Sequence, residues 1–165
     1  MPSSSPIINV PVLLLLIVAN STPVVMAQLL GTWRNSPIDA GIKLCDGRPL
    51  FGPHKTWRGF ISGTAAAGLF GTLLPTGFVI SASGGLLALT GDLLSSFLKR
   101  RMNRASGQST PLVDQLPEAL LPMLVFQNAL VLPASSIAAT AVIFSLLDMF
   151  AAKCISWIRG GEPRD

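Results

Sequence analysis

Residues 79–101 read VISASGGLLALTGDLLSSFLKRR. From Val79 to Phe97 the run is apolar or small, and at about 1.5 Å per helical residue it is long enough to cross a hydrocarbon core of roughly 30 Å. It ends on Lys99, Arg100 and Arg101, whose charges stay in water. One residue breaks the pattern. Asp92 is a carboxylate near the end of a span, where a charge is costly to bury and where such residues face a bundle interior or water and mark functional sites.

The rest of the chain repeats the same solvent logic. Of the 165 residues, 50% are apolar and 12% charged, about half the charge of an ordinary soluble domain. Windows of mostly apolar residues predict five transmembrane helices at about 9–30, 58–75, 79–97, 117–133 and 135–158, in a single all-α membrane domain covering 1–165. The second and third meet at Pro75 to Phe78, and the fourth and fifth near Leu132 and Pro133, so each pair is expected to form a helical hairpin.

Every Lys and Arg falls in the 31–58 segment, the 98–115 segment or the C-terminal end from Lys153. Five spans place all three on one side. The positive-inside rule then makes both long loops (31–57 and 98–116) and the C-terminus cytoplasmic and the N-terminus external, in a multi-pass protein of the cell membrane. The first helix is expected to be a span and not a cleaved signal peptide, since Met1 to Val10 carries no basic residue. Cys45 and Cys154 fall on the cytoplasmic side, where thiols stay reduced, so no disulfide is expected. With His54 alone they cannot complete a four-ligand zinc site. The basic balance is accounted for by topology, and no basic run interleaved with aromatics points to nucleic acid.

Five polar groups interrupt this frame. In the first helix, Asn20, Ser21 and Thr22 precede Pro23, which frees backbone carbonyls that neighbouring side chains can re-satisfy; Asn20 serves helix packing or lines a polar cavity. In the first loop, Gly47 to Gly52 has G-x-x-x-x-G spacing, but Pro53 and His54 intervene before Lys55-Thr56 and no strand precedes, so it is not a P-loop. What remains is Asp46, glycines that permit close backbone approach, and Lys55 and Arg58 at the mouth of a helix. That is a candidate polyphosphate cradle, or else a turn followed by positive-inside anchors.

In the third helix Asp92, Ser95, Ser96 and Lys99 share one face, and Gly91 leaves room for another backbone or a ligand. The structural alternative for Asp92 is a pair with Lys99. In the second loop, Pro117 suits a first helical turn, and Glu118 reads as a partner of the helix dipole. Asp114 joins Asp46 and Asp92 as a third carboxylate on one membrane face. Hard oxygen donors beside Lys and Arg are what Mg²⁺ on a nucleoside triphosphate requires. Asp148, inside the fifth helix, either pairs within the bundle or shares in the site.

Taken together, Asp46-Gly47-Arg48 through Gly52-x-x-Lys55-Thr56-x-Arg58-Gly59, Gly91-Asp92 with Ser96-Phe97-Leu98-Lys99-Arg100-Arg101, and Pro111-x-x-Asp114-Gln115-Leu116 resemble the archaeal CDP-archaeol synthases. Ala19-Asn20 with Pro23 is similar to that family too. These are relatives of the CDP-diacylglycerol synthases, whose distal Asp-Arg is here Asp114-Gln115. The resemblance implies Mg²⁺-dependent cytidylyl transfer from CTP to an isoprenoid glycerol-phosphate lipid, 2,3-di-O-geranylgeranylglyceryl 1-phosphate. Under it, Lys55, Asp92, Lys99, Arg100 and Asp114 are the catalytic set, and Asp92 and Asp114, with Asp46, hold Mg²⁺. Lys55, Arg58, Lys99 and Arg100 hold phosphates. Asp46, Gly47, Gly52, Thr56 and Ser96 line the substrate, and Gln115 and Asn103 are candidate readers of cytosine. A homodimer suits so small a bundle. Two rivals fit less well. CDP-alcohol phosphotransferases need an Asp-Gly-x-x-Ala-Arg run, whereas Asp46-Gly47 is followed by Arg48-Pro49-Leu50-Phe51. A small ion-coupled transporter would show an inverted repeat and polar residues through the membrane, not gathered on one side.

Overall fold

The structure, a computed structural model, describes residues 8–104 and 115–158. Its helices are α1 (Val10–Leu30), α2 (Trp57–Gly71), α3 (Gly77–Arg101), α4 (Gln115–Val125) and α5 (Ala134–Ile158). Among the described residues no strand forms beyond two isolated bridges, Pro37 to Thr56 and Lys43 to Pro49. Three helices are long and apolar enough to cross a membrane: α1, α3 and Ala134–Cys154 of α5. The other two are shorter than the apolar windows suggest. The 15 residues of α2 rise only about 22 Å, because the chain turns at Thr72 before Pro75. The 11 residues of α4 rise about 16 Å, and the chain continues as hydrogen-bonded turns, with Phe126 N–H on Pro122 O (3.0 Å), Leu130 N–H on Phe126 O (2.9 Å) and Leu132 N–H on Gln127 O (2.9 Å).

The partition of side chains is that of a molecule in an apolar solvent. Leu69, Leu73, Val79, Leu146 and Phe150 are exposed, while Ser81, Ser95, Ser96, Thr140 and Gln115 are among the most deeply buried groups. In water this arrangement would forfeit the hydrophobic driving force; in lipid it exposes what lipid solvates and pairs what it does not. All three tryptophans, Trp33, Trp57 and Trp157, are exposed at the end where the basic residues lie. Indole rings are enriched at this depth in membrane interfaces.

Packing without a hydrophobic effect relies on close approach. On α2, Gly59, Gly63, Ala67 and Gly71 recur every fourth residue, and all are buried. A Cβ on Gly63 would lie 2.6 Å from Ala19 O in α1, and one on Gly85 in α3 would lie 2.5 Å from the Ala67 Cβ. Ala19 O is the carbonyl that Pro23 leaves without an intrahelical donor, and Gly63 lets α2 close over it. The side chains before the proline turn back on their own helix: Asn20 Nδ2 donates to Leu16 O (3.0 Å), Ser21 Oγ to Ile17 O (2.7 Å) and Thr22 Oγ1 to Val18 O (2.6 Å). Asn20 thereby takes the packing role.

The loop between α1 and α2 is organised by Asp39, a buried carboxylate. Its Oδ1 accepts from Gly41 N–H (3.0 Å) and its Oδ2 from Phe51 and Gly52 N–H (2.9 Å each). Burial opposes its charge, but the three donors outweigh that, and its pKa lies below the ordinary carboxylate value. Arg58 ties the loop to α1 by donating to Gly31 O (3.0 Å) and Trp33 O (2.5 Å), a cation at the negative end of a helix dipole.

Two outcomes follow for stability in detergent. Gly63→Val should lower the melting temperature by the equivalent of about 1–3 kcal/mol of overpacking, whereas Ile61→Ala, at a position 62% exposed, should change it little. Asp39→Ala should cost roughly 2 kcal/mol at neutral pH. Because the folded pKa is depressed, that contribution is complete above the ordinary carboxylate range and fades as pH falls through the folded value. The gap between wild type and Asp39→Ala in a pH series of melting curves should therefore close at acid pH.

Candidate active site at the loop end of the bundle

The site begins with Gly91. A Cβ there would collide with the backbone of Pro117 and Glu118, so the glycine admits the first turn of α4 against α3 beside Asp92. The room that the sequence reserves next to Asp92 is filled by protein backbone. With Pro117 seated, Gln115 and Glu118 come to the same side of α4, one turn apart, and both are buried.

Asp92 receives Lys55 from the first loop. The ammonium Nζ lies 2.6 Å from each carboxylate oxygen, and the two side chains are 27% and 21% exposed. Glu118 shares a side-chain hydrogen bond with Asp92 and lies within electrostatic range of Lys55 and Asp148. Gln115 Nε2 donates to Asp148 Oδ2 at 3.4 Å. Four elements thus converge on one polar group: the first loop through Lys55, α3 through Asp92, α4 through Gln115 and Glu118, and α5 through Asp148. A hydrogen bond between two carboxyl groups requires a proton on one of them, so Asp92 and Glu118 carry one negative charge between them, and the ammonium of Lys55 balances it.

The backbone that carries Lys55 is fixed. Its carbonyl accepts from Ile38 N–H (2.8 Å) and its N–H donates to Gly52 O (3.2 Å), beside the amides held by Asp39. Thr56 caps α2 by accepting from Gly59 N–H at 3.3 Å. Gly47 and Gly52 both have positive φ, 73° and 103°, a backbone that glycine adopts without strain.

A second cluster fastens the loop to the end of α3. Arg101 Nη1 donates to Asp46 Oδ2 (2.5 Å), and its Nη2 to Pro49 O (2.7 Å). In return Arg48 Nη1 donates to Arg101 O (2.9 Å). Asp46 also accepts from Arg48 N–H (3.1 Å); that bond, outweighing a small cost of burial, and Arg101 hold its pKa below the ordinary value. Arg100 is buried and donates to Arg104 O at 2.7 Å, while Ser95 donates to Asp92 O at 2.8 Å. Ser96 is buried beside it, and Lys99 is half-buried on the last turn of α3.

Of the residues singled out from sequence, Lys55 and Asp92 are brought together. Asp46 belongs to the Arg48 and Arg101 cluster, and Arg58 is engaged by the carbonyls that end α1. Gln115 faces Asp148, and Asn103 takes a positive φ of 59°. Asp114 lies outside the described residues. Glu118, read from sequence as a helix-dipole partner, proves to be a contact of Asp92, and Asp39 had drawn no notice although Asp39 with Gly41 two residues on is a turn signature. As donors, Asp92 and Glu118 suit a hard divalent cation that completes its shell with substrate phosphates and water, for which one or two carboxylates suffice. Among the described residues no group of three or more His, Cys, Asp or Glu is arranged to hold a metal.

A family model described as CarS-like, CDP-archaeol synthase, matches residues 7–160. The CDP-archaeol synthase of Staphylothermus marinus is 40% identical over 119 residues, covering 66% of this chain and 62% of that protein. The Thermofilum pendens protein of the same name is 42% identical over 104 residues, covering 60% and 51%. That of Hyperthermus butylicus is 31% identical over 136 residues, covering 78% of each. The chain therefore spans 62% and 51% of the first two relatives' lengths. A solved structure of an intramembrane enzyme for archaeal membrane lipids biosynthesis superposes with a TM-score of 0.70 at 35% identity, over 88% of this chain and 92% of that one. By sequence over nearly its whole length and by fold, the chain belongs to the CarS-like CDP-archaeol synthase family.

Proposed function

We propose that the chain transfers the cytidylyl group of CTP to 2,3-di-O-geranylgeranylglyceryl 1-phosphate, yielding CDP-archaeol and pyrophosphate. The observation that carries the reading is the Lys55–Asp92 pair with Glu118, polar and partly open, at the end of an apolar bundle whose cations gather on the same side. CTP would arrive from water, and the lipid phosphate from the bilayer at the same depth. A phosphate oxygen of the lipid attacks the α-phosphorus, one P–O bond forms as the bond to the β-phosphate oxygen breaks, and pyrophosphate departs. The attacking oxygen is already anionic near neutral pH, so no strong base is required. The chain's task is to neutralise and align two anions. Lys55, Lys99 and Arg100 are assigned to the phosphates, and Asp92 with Glu118 and Asp114 to Mg²⁺, which would screen the triphosphate and the leaving pyrophosphate. Arg58 and Asp46 are assigned to the frame on the strength of their contacts with α1 and Arg101.

In the same reading all five helices cross the membrane, α4 being completed by the hydrogen-bonded turns that follow it, with both long loops and the C-terminus cytoplasmic. Cysteines placed at Leu73 and Val131, exposed in the turns at the opposite end, should react with an impermeant reagent in intact cells, while native Cys45 should not. Labelling of Cys45 from outside would reverse the topology.

Pyrophosphate release from CTP in detergent should depend on added lipid phosphate. Lys55→Ala should lower turnover by roughly 10²- to 10³-fold, as for removal of one donor to transition-state charge, and Asp92→Asn, which keeps the shape but removes the charge a hard divalent cation needs, should lower it at least as far, with the proteins still inserted and folded. Turnover close to wild type in both would remove the pair from the chemistry.

A further inference from the structure

We propose that Lys55 is an internal counter-ion: it neutralises the Asp92–Glu118 carboxylate pair in the nucleotide-free site and turns to the nucleotide's phosphates when that pair takes up a divalent cation. The inference rests on the nucleotide reading above and adds a place for Glu118 as a second carboxylate that Lys55 must release.

The geometry carries it in three steps. First, Lys55 Nζ engages both oxygens of Asp92 at equal distance, 2.6 Å, which covers the edge a metal would need. A carboxylate so occupied cannot also present that edge to Mg²⁺, so Lys55 must move for Asp92 to serve as a ligand. Second, Glu118 is buried and hydrogen-bonded to Asp92, on the first turn of α4 that Gly91 admits at backbone range. The hydrogen-bonded pair shares one proton and so carries one negative charge away from bulk water, and the ammonium that balances it must be replaced by another cation when it leaves. Third, the part that moves is small. The Lys55 backbone is pinned to Ile38 and Gly52 and the loop amides to Asp39, while the four-carbon stem carries a compact ammonium with three donors that can be redirected without moving the chain. An arginine's planar fork would suit a permanent bidentate pair better; the lysine suits an exchange.

The consequence is coupling between metal and nucleotide. Lys55 competes with a free divalent cation for the carboxylates, and the nucleotide relieves that competition by offering the ammonium its phosphates. Binding of Mn²⁺, followed by the electron paramagnetic resonance of the free ion in detergent, tests this. Without nucleotide, Lys55→Met should bind Mn²⁺ about tenfold more tightly than wild type, within the usual span of coupling between two ligands. CTP should tighten Mn²⁺ binding to wild type and do so less in Lys55→Met. Adding Glu118→Gln to Lys55→Met should remove most of the gain. Equal or weaker Mn²⁺ binding by Lys55→Met would overturn the exchange and leave Lys55 a fixed element of the fold. Failure of wild type to take up Mn²⁺ even with CTP would overturn the metal reading itself, and the exchange with it.

A second measurement uses wild type alone, should Lys55→Met fail to fold. Acylation of the Lys55 amine, followed by mass spectrometry, should be slow without additions. It should be faster with Mg²⁺ and slow again with Mg²⁺ and CTP together. Labelling indifferent to Mg²⁺ would overturn the exchange.

Discussion

A backbone contact governs this molecule: the main chain of Pro117 occupies the space that any side chain at Gly91 would need. Helices in lipid gain little from burying apolar surface, so contact at backbone range must supply what a hydrophobic core supplies in water. The small-residue stripe of α2 does this for α1 and α3. Gly91 does it for α4, and with a chemical result. It sets the height of the first turn of α4 against α3, and so determines which side chain Asp92 meets.

Once the helices are locked, charge accounts for the rest of the loop end. Asp39, Asp92 and Glu118 are carboxylates in places where water cannot solvate them fully, and each has a different solution. Asp39 is satisfied by backbone amides alone, which makes it a rigid hub. Asp92 has the ammonium of Lys55, and Glu118 a hydrogen bond to Asp92. Cations are divided in the same way. Arg58 and Arg48 point forks at carbonyls, Arg101 spans carbonyls and the exposed Asp46, and all three are structural ties, while Lys55, with its flexible stem, is placed on Asp92. The division follows the chemistry of the two side chains: the guanidinium stays charged and directional, and the ammonium can be redirected.

Much of this was legible in the residues. The apolar runs fall on α1 and α5 to within a residue, while α3 begins two residues before its run and continues four beyond it into Arg101. Asp92 stood out because a carboxylate in an apolar span needs a reason, and Gly91 announced a close approach. What periodicity could not supply was the register between helices. Lys99 is the neighbour of Asp92 along its own helix, but the partner seen is Lys55, thirty-seven positions earlier, brought there by a loop folded around Asp39. Glu118 looked like a helix-dipole residue because nothing in one chain says that α4 begins at the level of Asp92. Arg58 had the sequence company of a phosphate ligand, yet the end of α1 lies closer. The lengths of α2 and α4 were overestimated because hydropathy measures preference for lipid, not helicity, and the turns after Gly71 and Val125 are as apolar as the helices before them.

The three exposed tryptophans all sit at the loop end, and Trp57 is two residues from Lys55. Indole rings resist displacement from the interface in either direction, so they act as a float line: the height of the carboxylates relative to the lipid phosphates is referenced to one leaflet. When bilayer thickness changes with temperature or lipid composition, the adjustment that hydrophobic mismatch demands falls on the opposite end, where Thr72 to Thr76 and Phe126 to Pro133 form turns instead of rigid helix. The loop end keeps its draught while the far end absorbs the swell.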